Sequence, residues 1–588
     1  IAVSLEAAQE GMVLLKNEAN LLPLKSGSKV CRFGKGTFDY VKGGGGSGDV
    51  HSAYVRNLYE GLKELKEVEI FEPLAEYYRA NVEKQYAEGA VPGMTVEPAI
   101  TEQQVQDARA FADTAIVVIS RFSGEGWDRS SIECEEEYNP WKSDAESMPA
   151  ISGRIFPKGD FYLTKEEETM IARVEEAFAD IVVVLNVGGM MDTSWIQRDD
   201  KLAAALVAWQ GGMEGGCAIA DIIFGDVNPS GKLVDTIAKS YDCYPCKDDF
   251  WECFDHLDYT DDIFVGYRYF ETMSPECVRY PFGYGLSYTE FRMSNPVVFE
   301  NDDKIIATVE VLNDGERAGR EVVQLYYSAP QGVLGKPAVE LGAYKKTKLL
   351  QPGESELITL SFDVEDMASF DDLGKVYISA YVLEKGTYEF YIGTSVRDVN
   401  KADFVYYVDE SDVTDQLDSW CKPFKLKKRM LADGTFEELP TGEESYYYGT
   451  NKPSGAVAPE KEVKFDLVGS EISLDEFVAQ FTLEELMDFV GGQPPTGVAN
   501  TGCFGGLQRL SVPAVATADG PAGLRLDTEV GIPTTAWPCA TLLACTWDPD
   551  LIYDVGAAGG AEVRENNLGI WLTPVSYTHL TLPTSDLV

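Results

Sequence analysis

Two hydrophobic periodicities divide the chain. As far as about residue 265, short apolar runs alternate with helical patterns: Ala115-Ile-Val-Val-Ile-Ser120 and Ile181-Val-Val-Val-Leu185 read as strands, with a helix from Thr164 to Ala179 between them. Such alternation predicts a parallel sheet flanked by helices, an α/β sandwich domain over 1–265. Thr164-Lys-Glu-Glu167 opens the helix as a capping box, the threonine accepting from the Glu167 amide while Glu167 reaches back. From about 266 to 410 the period falls to two, as in Lys304-Ile-Ile-Ala-Thr-Val-Glu-Val-Leu312, then Asn313-Asp-Gly315, then Glu321-Val-Val-Gln-Leu-Tyr326. This predicts antiparallel strands joined at glycine turns in a β-sandwich, with further turns at Leu350-Gln-Pro-Gly-Glu354 and Glu384-Lys-Gly-Thr387. Residues 411–470 have little periodicity but include Tyr446-Tyr-Tyr448, and read as a linker packed on its neighbours. Phe481-Thr-Leu-Glu-Glu-Leu-Met-Asp-Phe-Val490 restarts the helical period behind a second capping box at Thr482 and Glu485, so a third domain opens near 470.

A chain of 588 residues exceeds one hydrophobic core, in line with this multidomain α/β plus all-β reading. The 97 acidic against 49 basic residues give a formal charge of −48, which repels phosphate backbones and anionic lipid. Nucleic acid and membranes are therefore set aside as partners, and no apolar run of about 18 residues spans a bilayer. Neutral polyhydroxy ligands are indifferent to that charge. Eleven cysteines, an odd number without a disulfide framework, favour a reducing, cytoplasmic setting. Ile1 is not an initiator methionine, so the absence of a signal peptide argues little.

The strand ending at Ser120 runs directly into Arg121-Phe-Ser-Gly-Glu-Gly-Trp-Asp-Arg129, which sets Glu125 between two glycines beside Trp127. Ligands bind outside the carboxyl ends of such strands, so Glu125 is either a ligand-facing acid or a solvated turn residue. Similarly, Ala514-Val-Ala-Thr-Ala518 delivers Asp519-Gly-Pro-Ala-Gly-Leu-Arg525. That carboxylate and guanidinium suit sugar hydroxyls, and the competing reading is a structural Asp-Gly-Pro turn. Gly43-Gly-Gly-Gly-Ser-Gly48 lacks the lysine of a phosphate loop, so no nucleotide and no cofactor is expected. Cys243, Cys246, Cys253 and His256 have a spacing open to tetrahedral zinc, against which stands chance clustering in a cysteine-bearing loop.

Together these segments resemble glycoside hydrolase family 3, the β-glucosidase family. The resemblance rests on Leu14-Leu-Lys-Asn17 with Leu22-Pro-Leu24, Gly44-Gly-Gly-Ser-Gly48, Ser123-Gly-Glu-Gly-Trp-Asp-Arg129, Asn228-Pro-Ser-Gly231, Pro281-Phe-Gly-Tyr-Gly-Leu-Ser-Tyr288 and Asp519-Gly-Pro-Ala-Gly-Leu-Arg525. It implies an α/β sandwich, then a fibronectin-III-like β-sandwich, then the first part of a (β/α)8 barrel over 471–574, the family's inverted order. It implies a retaining exo-β-glycosidase acting on a small β-glucoside or oligosaccharide, with Glu125 as acid/base and its pKa raised by burial beside Trp127. Asp519, Arg525 and Ser47 are then the sugar-gripping residues. β-Xylosidase and β-N-acetylglucosaminidase activity remain alternatives, as does a non-catalytic carbohydrate-binding protein on the same scaffold; oligomeric state is not legible.

The family's nucleophile, an aspartate on a later barrel strand, has no counterpart before Pro574. Residues 575–588, which begin Val575-Ser-Tyr-Thr-His-Leu, resemble a translated sequencing adapter rather than barrel. The expectation is an incomplete barrel and a 588-residue product without hydrolase activity. Purified protein that turns over an aryl β-glucoside well above the buffer rate overturns it.

Overall fold

The computed structural model describes residues 1–64, 68–125, 148–198, 201–247, 257–418, 425–442 and 455–573. The apolar runs of the first region build one six-stranded sheet: β1 (Val13–Asn17), β2 (Lys29–Phe33), β3 (Glu69–Ile70), β4 (Thr114–Arg121), β5 (Asp180–Val187) and β6 (Ala204–Val207). Their spatial order is β1-β6-β5-β4-β2-β3, with β1 antiparallel and the rest parallel. Helices cover both faces, so β4 and β5 are buried almost end to end, as their unbroken β-branched sequence requires. Chain connections leave β2 toward β3 and β4 toward β5, in opposite directions from adjacent strands. The crevice at the carboxyl ends of β2 and β4 is thus the topological switch point, where open α/β sheets bind ligands.

Arg121, the last residue of β4, is fully buried and uses its guanidinium completely. It donates to both Glu167 oxygens at 2.7 Å, and to the carbonyls of Ser120 (2.9 Å), Asp160 (3.0 Å) and Tyr162 (3.0 Å). Glu167 also closes the capping box of helix Lys165–Ala177, accepting from the Thr164 amide at 2.8 Å. One carboxylate therefore both caps a helix and neutralises a buried charge.

The second region is a sandwich of two antiparallel sheets. One orders Ser355–Asp363, Lys304–Asn313 and Phe291–Asn301; the other orders Glu340–Lys346, Val322–Ser328, Gly386–Gly393 and Val399–Val408. Alternate residues Ile305, Ala307, Val309 and Val311 are sealed in the core against Leu325, Ile358 and Phe390. The turn signal at Asn313-Asp-Gly315 does not join paired strands as expected, because the strands flanking it lie in different sheets. Buried Asn313 holds the crossing, donating to the carbonyls of Arg317 at 2.7 Å and Leu350 at 2.8 Å. Between 411 and 470, Asp412–Gln416 pairs with Ala380–Leu383, and Lys428–Met430 forms a hairpin with Phe436–Glu438.

In the last region Ala514–Asp519 pairs antiparallel with Gly502–Gly505 and parallel with Ile570–Leu572, helix Pro549–Glu565 making the crossover. Gly559 is needed there, because a Cβ would overlap the Trp571 ring. A charged hub ties the three regions together. Lys346 Nζ meets Glu10 Oε2 at 2.6 Å and the Thr546 carbonyl at 2.9 Å, while Arg320 reaches Asp548 at 3.0 Å. Lys232 pairs with Glu321 at 2.8 Å, and its carbonyl accepts from Trp547 Nε1 at 3.0 Å.

Replacing Glu167 by Ala is expected to strand the Arg121 charge and cost about 3–5 kcal/mol, read as a lower denaturant midpoint. Burial alone would raise the Glu167 carboxyl, but the Arg121 guanidinium beside it holds it below its ordinary value. The pair's contribution is therefore present above the unfolded carboxylate pKa and is lost as pH falls through the lowered folded one. A Glu167→Ala midpoint equal to the parent's at neutral pH would contradict this.

Candidate active site

Two loops meet at the switch point, and both need glycine to do so. The loop after β2 carries Gly43 to Gly48, and the loop after β4 carries Ser123, Gly124 and Glu125. A Cβ on Gly124 would strike the Gly45 amide, and one on Gly46, whose φ is +59°, would strike the Glu125 side chain. The close approach lets the Ser47 amide donate to Glu125 Oε2 at 2.7 Å. Buried Asn186, at the end of β5, braces the arrangement. Its side-chain amide donates to the carbonyls of Val41 (2.9 Å) and Trp209 (2.6 Å), and its oxygen accepts from the Val41 amide at 2.7 Å. Gln210, beyond β6, donates to the Ser123 carbonyl at 3.3 Å.

The last region supplies the facing wall. Pro521 lies beside Gly48 and Ala522 beside Gly43. Backbone hydrogen bonds run across the boundary from Thr534 to His51, Met213 to Ala536 and Cys539 to Gln210, each at 2.9 Å. Asp519, at the end of its strand, is clamped by Asn500: the Asn500 side-chain amide donates to Asp519 Oδ2 at 3.1 Å, and the Asp519 amide donates to Asn500 Oδ1 at 3.0 Å. Arg525 stands 4.0 Å from Asp519, and its Nε is buried without a hydrogen-bond partner among the described residues. Four residues singled out by sequence, Ser47, Glu125, Asp519 and Arg525, thus border one crevice. Trp127 lies outside the described residues.

Glu125 itself differs from expectation. It is solvent-exposed, and hydrogen bonds from the Ser47 amide and then the Ser47 hydroxyl, with the Arg525 charge, hold its carboxyl below its ordinary value. In this state it is a carboxylate rather than an acid with a raised pKa, because stabilising donors outweigh weak desolvation. Asn186, Gln210 and Asn500 were missed by sequence reasoning, since nothing local marks an asparagine whose partners lie on other strands. Half of the zinc set suggested by sequence, Cys253 and His256, lies outside the described residues; among the described ones no cluster of three metal-ligating side chains occurs. A cavity of about 2000 Å³ between the β-sandwich and helix Pro549–Glu565 includes Trp537, Trp571 and Pro521 in its lining but neither Glu125, Ser47 nor Asp519. Its size does not outweigh the convergence of polar groups at the switch point.

Residues 12–288 match the glycosyl hydrolase family 3 C-terminal domain, and residues 321–396 match a fibronectin type III-like domain. Beta-glucosidase A of Butyrivibrio fibrisolvens is 48% identical over 98% of this chain and 75% of its own length. The chain belongs to glycoside hydrolase family 3. Within this family, a crystal structure of a β-glucosidase from Paenibacillus barengoltzii superposes with a TM-score of 0.85 at 36% identity, covering 97% of this chain and 63% of that one. β-Glucosidase 3B from Thermotoga neapolitana, solved with glucose, gives 0.60 at 35% identity over 70% of this chain and 54% of that one. The family 3 chain described here thus spans less than two thirds of both solved relatives. No helix among its described residues is long and apolar enough to cross a membrane.

Removing the Ser47 hydroxyl, as Ser47→Ala, is expected to raise the Glu125 carboxyl pKa toward its ordinary value while the backbone donor persists. Carboxyl 13C titration of glutamate-labelled protein checks this, and an unchanged midpoint would show that the hydroxyl has no hold on the acid.

Proposed function

We propose that this family 3 chain carries the acid/base half of a retaining exo-β-glucosidase site, releasing glucose from the non-reducing end of β-glucosides. The observation that carries the reading is the convergence of Glu125 and Ser47 with Asp519 and Arg525 across the boundary between the first and last regions. The relatives' names as β-glucosidases support the substrate. Asp519, oriented by Asn500, accepts sugar hydroxyls, and the guanidinium of Arg525 donates to them. Glu125 protonates the departing glycosidic oxygen, then as carboxylate takes a proton from the water that attacks the glycosyl intermediate. A second carboxylate about 5–5.5 Å away is required as nucleophile, and the family pattern assigns it to a later strand of a (β/α)8 barrel, of which the unit Gly502–Leu572 is the opening.

The low pKa of Glu125 is compatible with this role if substrate changes its surroundings. A sugar hydroxyl that takes the Ser47 donor releases Glu125, and exclusion of water then favours its protonated form. Ser47 acts in this scheme as an exchangeable partner, held by the acid when the site is empty and by the sugar when it is filled.

The reading requires that the 588-residue chain bind glucose at this crevice even without turnover. Asp519→Ala is expected to weaken that binding roughly ten- to a hundredfold, the worth of about 1.5–3 kcal/mol in charge-assisted hydrogen bonds. Isothermal titration with glucose checks it; absent binding by the parent chain, or equal binding by the variant, defeats the assignment.

A further inference from the structure

We propose that Cys243 and Cys277 form a thiol-modification site, reacting with low-molecular-weight disulfides and closing into an intramolecular disulfide. The sequence pattern grouped Cys243 with Cys246, but the fold gives it another neighbour. Strand Ile237–Ala238 pairs antiparallel with Val278–Tyr280, matching Ala238 to Val278, and the Lys239 amide donates to the Cys277 carbonyl at 2.8 Å. The chain then turns through the short helix Tyr241–Cys243, the Cys243 amide bonding back to the Ser240 carbonyl at 3.2 Å. That turn brings the Cys243 side chain onto the cluster of Ala238, Phe270 and Val278, where Cys277 also packs. Packed on one cluster, the two thiols lie near enough to influence each other's ionisation, and the Ser240 hydroxyl lies 3.5 Å from the Cys243 sulfur.

Both cysteines are partly exposed, whereas Cys31, Cys217, Cys503 and Cys545 are buried. The two thiols are also unequal. Burial and then the Cys243 contact push Cys277 up to about 11, whereas the Cys277 and Ser240 contacts outweigh burial and lower Cys243. Cys243 is therefore the attacking sulfur. Its thiolate displaces one thiolate from the small disulfide and forms a mixed disulfide. Cys277 then loses its proton to solvent, and its sulfur attacks the Cys243 sulfur and expels the second thiolate. Two protein thiols are oxidised and one small disulfide is reduced to two thiols. Tyr244, next to Cys243, meets Phe161 edge-on at 6.3 Å, and Phe161 follows Asp160, whose carbonyl Arg121 holds.

The test equilibrates the 588-residue protein in oxidised and reduced glutathione, traps free thiols by alkylation, and maps peptides by mass spectrometry. The expected result is a Cys243–Cys277 cross-linked peptide that dithiothreitol removes and that persists in Cys246→Ser. In Cys277→Ser, glutathione should remain on Cys243. Recovery of both cysteines alkylated, a Cys243–Cys246 link, or parent protein that retains glutathione on Cys243 without closing would overturn the proposal.

Discussion

Two polypeptide backbones can touch only where neither carries a side chain between them, and the candidate site is built on such a contact. The loops after β2 and β4 diverge at the switch point, so their first residues are adjacent by topology. Glycines at 44, 45, 46 and 124 turn that adjacency into contact. The acid's position therefore depends less on its own side chain than on the loop opposite, whose Ser47 amide fixes it. Asn186 and Gln210 extend the same logic sideways, Asn186 tying the end of β5 to the loop after β2 and Gln210 tying the exit of β6 to that of β4. This side of the crevice is braced because the exits of four strands, β2, β4, β5 and β6, are fastened to one another rather than to solvent.

The facing wall belongs to a different region, so its placement depends on how the regions dock. The hub of Glu10, Arg320, Lys346 and Asp548 lies away from the crevice but links all three. Buried charges of this kind contribute little net stability, because desolvation offsets attraction, yet mispairing them is costly. Their effect is to admit one docking geometry. Nearer the site, Val50, Met213 and Ala536 form a small apolar seam that excludes water from the boundary. Charge sets the arrangement and apolar contact seals it.

What sequence revealed was what local pattern encodes. Strands β4 and β5, both capping boxes and the Ala514–Asp519 strand follow from periodicity and from residues three apart. Glu125, Ser47, Asp519 and Arg525 stood out through glycine-rich segments together with the family resemblance, and the fold brings them to one crevice, while their roles belong to the proposal above. Arg121, Asn186, Asn500 and Cys277 were not, since each acts through a partner distant in sequence and chemically unremarkable where it stands. Glu167 shows the limit well: its capping role was readable, but its pairing with Arg121, 46 positions away, required the fold. The direction of the Glu125 pKa was misjudged for a related reason, because the donors that lower it come from another loop and another region.

Gly11 lets the first helix, Ala2–Gly11, lie so close to Leu542 that a Cβ would strike its carbonyl, while Ala7 packs with Trp537, Leu551 and Val555. These partners come from opposite ends of the sequence. At about 5–20 residues per second, a ribosome separates their appearance by on the order of a minute. Until then the face formed by Val3, Ala7 and Gly11 lacks the partners that it meets in the finished fold. The packing of this helix is therefore completed by residues made long after it, and one of the first surfaces synthesised is among the last to be covered.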